Sequence, residues 1–456
     1  MPRKRKQSSQ SDEETEEDEL VLELGEEETK ELLDILDLIN PAKRRKLPSV
    51  SNPYDEYLSK LSSRQKNVLL RKEKKIIESN KSSIPLRFKI IESDMDDKIK
   101  GQLLQKAIHF ESLPEGAGEY FKLKRFMEGL LKIPFKKYAK LPISNRDPIE
   151  KKKNFVSKLK KQLDNCIFGQ ETAKNSILQI IAKWITNPKG TGNIIGLCGP
   201  AGVGKTSIIK NGLSKALNLP FGFIPLGGSS NASNLQGFDY TYEGSKWGRI
   251  VEILIENKYM NPIIFFDELD KISDTKEGME IISVLIHLTD PSQNNSFTDK
   301  YFSGIEFDLS KTFLIFSFND ENKINPILRD RITIVKLDGF DPPDKIKIAQ
   351  DFSLDKICKN IGFNKEDIVL PEETLRVIIS NYCNEKGVRK LEKCLETLIM
   401  KLNLYHITKD FKNLNLKEDL DDIEPPYEIT PVLATKLLDP VFRKDDMSLA
   451  VRMMYS

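Results

Sequence analysis

The chain has 456 residues, of which 39% are hydrophobic and 31% charged, and its formal net charge is +2. That length accommodates two or three domains with a real core. The near-neutral balance argues against a protein that coats nucleic acid through bulk electrostatics, although a local basic patch is compatible with it.

The five cysteines, Cys166, Cys198, Cys358, Cys383 and Cys394, include no C-x-x-C spacing, and only His109, His287 and His406 could join them. No structural zinc site is indicated, and reduced, mostly buried thiols of an intracellular protein are expected. No run of roughly 18 or more apolar residues occurs, so no membrane span is expected.

Residues 1–50 read as a disordered tail. The basic run Arg3–Lys6 turns into the acidic run Asp12–Glu19, and a second basic run, Lys43–Lys46, follows. Like-charge blocks repel and offer little apolar surface for packing. Glu28–Ile39 has the apolar spacing of a short docking helix. The two basic runs resemble nuclear-localisation signals, so a nuclear or cytoplasmic location is the expectation.

Residues 51–150 read as a helical N-terminal extension and linker. From Tyr54 to Lys106 a solvated helix or coiled-coil arm is the simplest account, and a second helix runs over Tyr120–Leu131. The block 155–340 alternates helical stretches with short apolar runs at Ile194–Leu197, Ile263–Phe266, Phe313–Phe316 and Ile332–Val335. That alternation predicts an α/β fold, a parallel sheet with helices on both faces. Residues 341–410 become helical again and predict a small lid-like domain, followed by a C-terminal extension over 411–456.

The strongest local signal is Gly199-Pro200-Ala201-Gly202-Val203-Gly204-Lys205-Thr206, which follows a strand and opens a helix. Its glycines let consecutive backbone N–H groups wrap phosphates at a positive helix end. Lys205 is placed to reach the β and γ phosphates of ATP, and Thr206 to offer its hydroxyl to Mg2+. About sixty residues on, the apolar run Ile263–Phe266 ends in Asp267-Glu268. Asp267 is expected to hold Mg2+ through its water shell, and Glu268 to polarise the attacking water. A third apolar run ends at Ser317-Phe318-Asn319, where the uncharged amide of Asn319 could hold that water without adding repulsive charge.

With these motifs in place, residues 107–443 resemble the ATPase part of Lon proteases, within the AAA+ class. Thr289–Tyr301 is similar to the D-P-E-Q-N-x-x-F-x-D-x-Y stretch of that family. Leu113–Glu119 and Leu131–Phe135 resemble the helical segment that Lon places before its ATPase. The resemblance implies an AAA+ P-loop NTPase with a helical lid. It implies that Ile167 and Phe168 pack near adenine, and that Arg389 senses the γ-phosphate within its own subunit. Arg331 matches the arginine finger that reaches the ATP of a neighbour, although Arg329 could also point that way. Tyr242 and Gly244 fall on the substrate-gripping pore loop, where Glu243 replaces a hydrophobic residue and could favour basic substrates.

Ile429-Thr430-Pro431 and Leu437–Phe442 resemble the segment that closes the Lon lid. Only residues 443–456 follow Phe442, so no protease domain is expected within this sequence. The leading expectation is an ATPase that unfolds, translocates or remodels polypeptides as a homo-oligomeric ring of six, with a separate protease partner as an open option. A nucleic-acid-associated motor or loader is the alternative.

Overall fold

A computed structural model describes residues 57, 60–80, 84–114, 117–187, 194–228, 231–408, 425–439 and 441–442. The tail expected over 1–50, with its basic and acidic runs and the docking helix, lies outside the described residues, as do 409–424 and 443–456. The chain divides into two compact units, Met1–Pro85 and Leu86–Ser456. The first contains the helix Ser63–Asn80. The second holds the sheet and the helices packed on it.

Its centre is a five-stranded sheet. The strands are β1 (Ile194–Cys198), β2 (Phe221–Pro225), β3 (Ile263–Asp267), β4 (Phe313–Phe318) and β5 (Thr333–Lys336). They lie in the order β2-β3-β4-β1-β5, and every neighbouring pair is parallel. Parallel strands connect only through crossovers, so helices cover both faces and the central strands become continuous apolar runs. Successive side chains alternate between the two faces. Ile194, Ile264, Phe266, Leu314 and Phe316 enter one core. Ile195, Leu197, Ile263, Phe265, Phe313 and Ile315 enter the other.

The second core is closed by the helices Ile149–Cys166 and Glu171–Thr186, through Leu159, Leu163, Ile177 and Ile181. Across it lies the helix that follows the glycine-rich loop, built from Lys205–Ser207, a π-helical turn Ile208–Leu213 and Ser214–Leu217. The side-chain amide of Gln162 donates to the Asn211 carbonyl in that turn at 3.0 Å.

The first core takes in the segment read from sequence as a solvated arm, and that reading needs correction from Leu86 onward. The helices Leu86–Glu92, Asp97–Glu111 and Gly118–Leu131 bury Ile90, Leu103, Ala107, Phe126 and Leu130 against the sheet-side core. Lysines and glutamates dominate the exposed faces and mask a narrow apolar stripe. Phe126 packs against Tyr240 and Phe302, with ring centroids 4.9 and 5.4 Å away.

The lid has a core of its own. It is formed by Pro342–Ile348, the π-helical turn Ala349–Ser353, Leu354–Ile361, Glu372–Tyr382 and Arg389–Thr408. Tyr427–Glu428 pairs in parallel with Ile368–Val369, and residues 431–439 are helical. Tyr427, Ile429, Leu433, Leu437, Leu438 and Phe442 all enter the lid core. Residues 425–439 and 441–442 are therefore an integral part of the lid.

Because Phe126 is 1% exposed and ties the early helices to the sheet, Phe126→Ala should destabilise the unit by about 3–5 kcal/mol. Thermal unfolding combined with limited proteolysis across residues 86–131 checks this. An unchanged midpoint would show that these helices are not part of the core.

Candidate functional site

Strands β1, β3 and β4 deliver their last residues to one edge of the sheet. A cavity of about 670 Å³ opens there between the sheet and the lid. It is lined by Ala201, Gly202, Val203, Gly204, Lys205 and Thr206, and by Asp267, Glu268, Asn319, Ile167, Phe168 and Arg389. Three separated sequence signals and three residues implied by resemblance alone (Ile167, Phe168 and Arg389) thus face one space. Gly199 and Pro200 stand behind it, their carbonyls accepting from the Lys205 ammonium at 2.5 and 3.3 Å.

The loop has the backbone that a phosphate cradle requires. Gly202 and Gly204 take φ of 78° and 93°, a region that side chains disfavour. The lid holds this loop from the other side. Val388 N–H donates to the Gly202 carbonyl at 3.1 Å, and a Cβ on Gly387 would lie 2.1 Å from the Ala201 carbonyl. Arg389, the next residue and the first of its helix, is thereby brought to the cavity.

Lys205 also donates to Asn319 Oδ1 at 2.5 Å and to the Phe318 carbonyl at 3.3 Å. Burial pushes its pKa down, while Asp267, Asp270, Cys198 and Glu268 pull it back up. Asp267 Oδ1 accepts from the Ser317 hydroxyl and from Glu268 N–H, the latter at 3.2 Å. Glu268 sits in the left-handed region with φ 60°, an uncommon state for a side-chain-bearing residue that recurs at functional sites. Its carboxylate lies over Gly227, where an added Cβ would be 1.9 Å from Oε2.

The donor set fits a magnesium nucleotide. The carboxylate of Asp267 and the hydroxyl of Thr206 are hard oxygen ligands on the cavity wall. Among the described residues no group of three or more His, Cys, Asp or Glu could hold a metal alone. A cation here would be shared with phosphate and water, as Mg2+ usually is. At the far end Ile167, Phe168, Phe340, Ile348 and Phe352 supply apolar walls suited to a base. Phe168 and Phe352 meet edge to face, with centroids 6.5 Å apart.

Sequence reasoning missed Ser317, Phe352 and Glu392 of this cavity, together with Asp270 behind it. Ser317 lies in the quoted run before Asn319 and Asp270 just past Asp267-Glu268, but their partners are far away in sequence: Asp267 for Ser317, and the Asn319 and Asp320 N–H groups for Asp270. Phe352 and Glu392 come from the lid, and no local pattern marks them.

Arg331 is absent from the cavity wall. It donates to the Ile286 carbonyl at 2.6 Å and to Asp290 Oδ2 at 3.0 Å, and its side chain is 28% exposed. The Ser292 hydroxyl and N–H, together with Arg331, hold the Asp290 carboxyl below the usual carboxylate range. Arg329 is bound to Glu321, with Nε at 3.0 Å. In the single chain both candidate fingers are therefore tethered to their own subunit.

The loop carrying Tyr242, Glu243 and Gly244 lies apart from the cavity. Tyr242 is 69% exposed, whereas Tyr240 packs inward on Phe126. Lys106 stacks over the Phe126 and Tyr240 rings at 5.1 and 5.0 Å, and Lys122 donates to the Thr241 carbonyl. The base of the loop is pinned by Asp299, which is fully buried and accepts from Gly248 N–H at 2.8 Å and Tyr301 N–H at 2.9 Å.

Fold and site together define an AAA+ ATPase, an ATP hydrolase. The family model for the ATPase family associated with various cellular activities (AAA) matches residues 195–337. The model for the Lon protease AAA+ ATPase lid domain matches residues 359–413. The chain carries an AAA+ ATPase domain and a Lon-type lid homologous to the ATPase region of Lon proteases. It is 35% identical over 342 residues to a Lon protease homolog of Acanthamoeba polyphaga mimivirus, covering 73% of this chain and 33% of the relative. It is 33% identical to the Lon protease of Campylobacter jejuni over 363 residues, 77% of this chain and 44% of the relative. It is 30% identical to the mitochondrial Lon protease homolog of Saccharomyces cerevisiae over 360 residues, 77% of this chain and 30% of the relative. The chain thus spans between 30% and 44% of the length of these three relatives.

Burial pushes the Asp299 carboxyl up to about 7, outweighing the N–H bonds from Gly248, Tyr301 and Phe302 that oppose the rise. In the unfolded chain an aspartate loses its proton near about 3.9. The stability that protonated Asp299 contributes is therefore full below that value and is lost as pH rises through about 7. Asp299→Asn, always neutral, should lose less thermal stability than the unsubstituted protein between about pH 5 and about pH 8. Equal losses in both would remove Asp299 as the cause.

Proposed function

We propose that this chain works as a subunit of an ATP-driven ring, six subunits in the full assembly, that pulls or remodels polypeptides. The observation that carries the reading is the convergence of Lys205, Thr206, Asp267, Glu268, Asn319 and Arg389 on one cavity, with Arg331 and Tyr242 outside it.

Within that cavity Lys205 and the loop N–H groups bind the phosphates. Thr206 and Asp267 would hold Mg2+, the latter through water, and when bound it would supply neutralisation of the phosphate charge. Glu268 accepts the proton of the attacking water, and Asn319 orients that water through its amide. Water adds to the γ-phosphorus as the bond to the bridging oxygen breaks, giving ADP and inorganic phosphate. Arg389 carries the phosphate state to the lid, because its loop is bonded to Gly202. Arg331 acts on the neighbouring subunit after exchanging Asp290 and the Ile286 carbonyl for phosphate. The exposed Tyr242 grips extended polypeptide by apolar contact, and Glu243 beside it favours basic segments. Peptide-bond hydrolysis is assigned to none of the described residues.

Glu268→Gln should bind ATP within about threefold of the unsubstituted affinity and lose about 10²–10⁴-fold in turnover. Isothermal titration and phosphate release measure the two quantities. Undiminished turnover would remove Glu268 from its role.

Ring action has its own test. Arg331→Ala subunits keep an intact cavity, and Glu268→Gln subunits keep the arginine. Mixing the two inactive proteins should restore ATPase activity, whereas silence at every mixing ratio would rule out action across subunits. Unfolding of a basic-tagged protein is expected to fail with Tyr242→Ala. ATPase stimulation by nucleic acid, with binding that weakens steeply in salt, would instead favour a nucleic-acid motor.

A further inference from the structure

One acid of the Asp267–Lys271 run has no role in the mechanism above. Asp270 lies on the single turn Leu269–Lys271 directly after Glu268 and is 8% exposed. Its Oδ2 accepts from the backbone N–H of Asn319 at 3.1 Å and of Asp320 at 3.2 Å. Its Oδ1 is buried and has no hydrogen-bond partner among the described residues. Burying a carboxylate is expensive unless it is well paired, so a bland turn residue is a poor explanation for it.

The geometry on the other side explains why a carboxylate is there. Strand β4 ends at Phe318, so the next two N–H groups have left the sheet ladder. They belong to Asn319, whose side chain touches Lys205, and to its neighbour. Without nucleotide, the side-chain bond to Lys205 helps to hold the Asn319 amide in place. Once Lys205 turns to phosphate that hold is lost, and only the backbone can keep the amide where it was.

We propose that Asp270 is a positioning residue for ATP hydrolysis, gripping the Asn319 and Asp320 N–H groups so that the Asn319 amide keeps its place beside Glu268 after Lys205 has released it. The inference rests on Asn319 as the water-orienting group. It also ties two positions of the site to one short stretch of chain, since Glu268 lies over Gly227 while Asp270, two residues on, holds the Asn319 and Asp320 N–H groups.

The test uses the full chain and the variants Asp270→Ala, Asp270→Asn, Asn319→Ala and the double Asp270→Ala/Asn319→Ala. Asp270→Ala should lower kcat by about 10²-fold while leaving KM for ATP within about threefold. Asp270→Asn keeps an oxygen able to accept both bonds and should recover at least about tenfold of that loss. In the Asp270→Ala background, Asn319→Ala should cost less than about twofold more, because the two residues act as one unit.

A readout without nucleotide accompanies the kinetics. Amide hydrogen exchange in the peptide spanning 317–321 should accelerate in Asp270→Ala and stay slow in Asp270→Asn. Unchanged exchange in Asp270→Ala, or losses that multiply in the double variant, would overturn the proposal. A slow Asn319→Ala beside a fast Asp270→Ala overturns this inference alone. Full turnover by Asn319→Ala instead overturns the role of Asn319, and the inference with it.

Discussion

Hydrogen-bond register across β3, β4 and β1 determines which side chains can share the nucleotide edge. Phe266 stands opposite Phe316, and Gly196 stands opposite the same residue on the other side. One step further along come Asp267, Ser317 and Leu197. The step after that brings Glu268, Phe318 and Cys198, and then Asn319 and Gly199. A slip of one residue on any strand would turn Asp267 or Ser317 toward the opposite face. The stacked rings of Phe266 and Phe316, 4.9 Å apart and 13° from parallel, resist such a slip because both are fully buried. The placement of Asp267 and Ser317 at the cavity edge is thus a consequence of aromatic packing one residue below them.

The second consequence is electrostatic. Three carboxylates, Asp267, Glu268 and Asp270, and one ammonium, Lys205, are drawn toward one partly buried region. Desolvation disfavours the charge on Lys205 and the acids favour it, with desolvation the larger effect. The oxygens that Lys205 touches directly are neutral: the carbonyls of Gly199, Pro200 and Phe318 and the amide of Asn319. An ionised acceptor adds a full Coulombic attraction to the ammonium that a neutral oxygen lacks. In the proposed mechanism a phosphate therefore competes with these partners for Lys205, and Asn319 is one of the groups it releases.

Much of this could be read from the sequence, for identifiable reasons. The glycine-rich loop, the Asp267-Glu268 pair and the four apolar runs are contiguous, so local pattern suffices to find them. Strand β2 was missed because it is an edge strand whose burial alternates, leaving only Gly222 and Ile224 fully inside. Asp270 and Ser317 were in plain view, but their meaning lies in partners about fifty residues away. Arg331 was found through resemblance, yet its tether to Asp290 depends on a helix end that no local spacing reveals. The entry of Ile429, Leu437, Leu438 and Phe442 into the lid core is what the resemblance implies, whereas Tyr427 joins that core without having been singled out.

On the role proposed for Tyr242, the helices from Leu86 to Leu131 change how the exposed loop works. A loop that grips a moving chain has to resist a pull along that chain. The loop backbone alone is held by few bonds, chiefly Phe238 N–H to the Lys246 carbonyl and Gly248 N–H to Asp299. Tyr240, two residues from Tyr242, adds a half-buried aromatic anchor against Phe126 and Tyr301, with Lys106 laid across the Phe126 and Tyr240 rings. A force on Tyr242 is then borne by the helices as well as by the ATPase core. Close-packed aromatic contacts do not deform gradually, so loop and helices move together or the contact shears. The segment that reads in sequence as a charged arm is, mechanically, the other half of the loop's mounting.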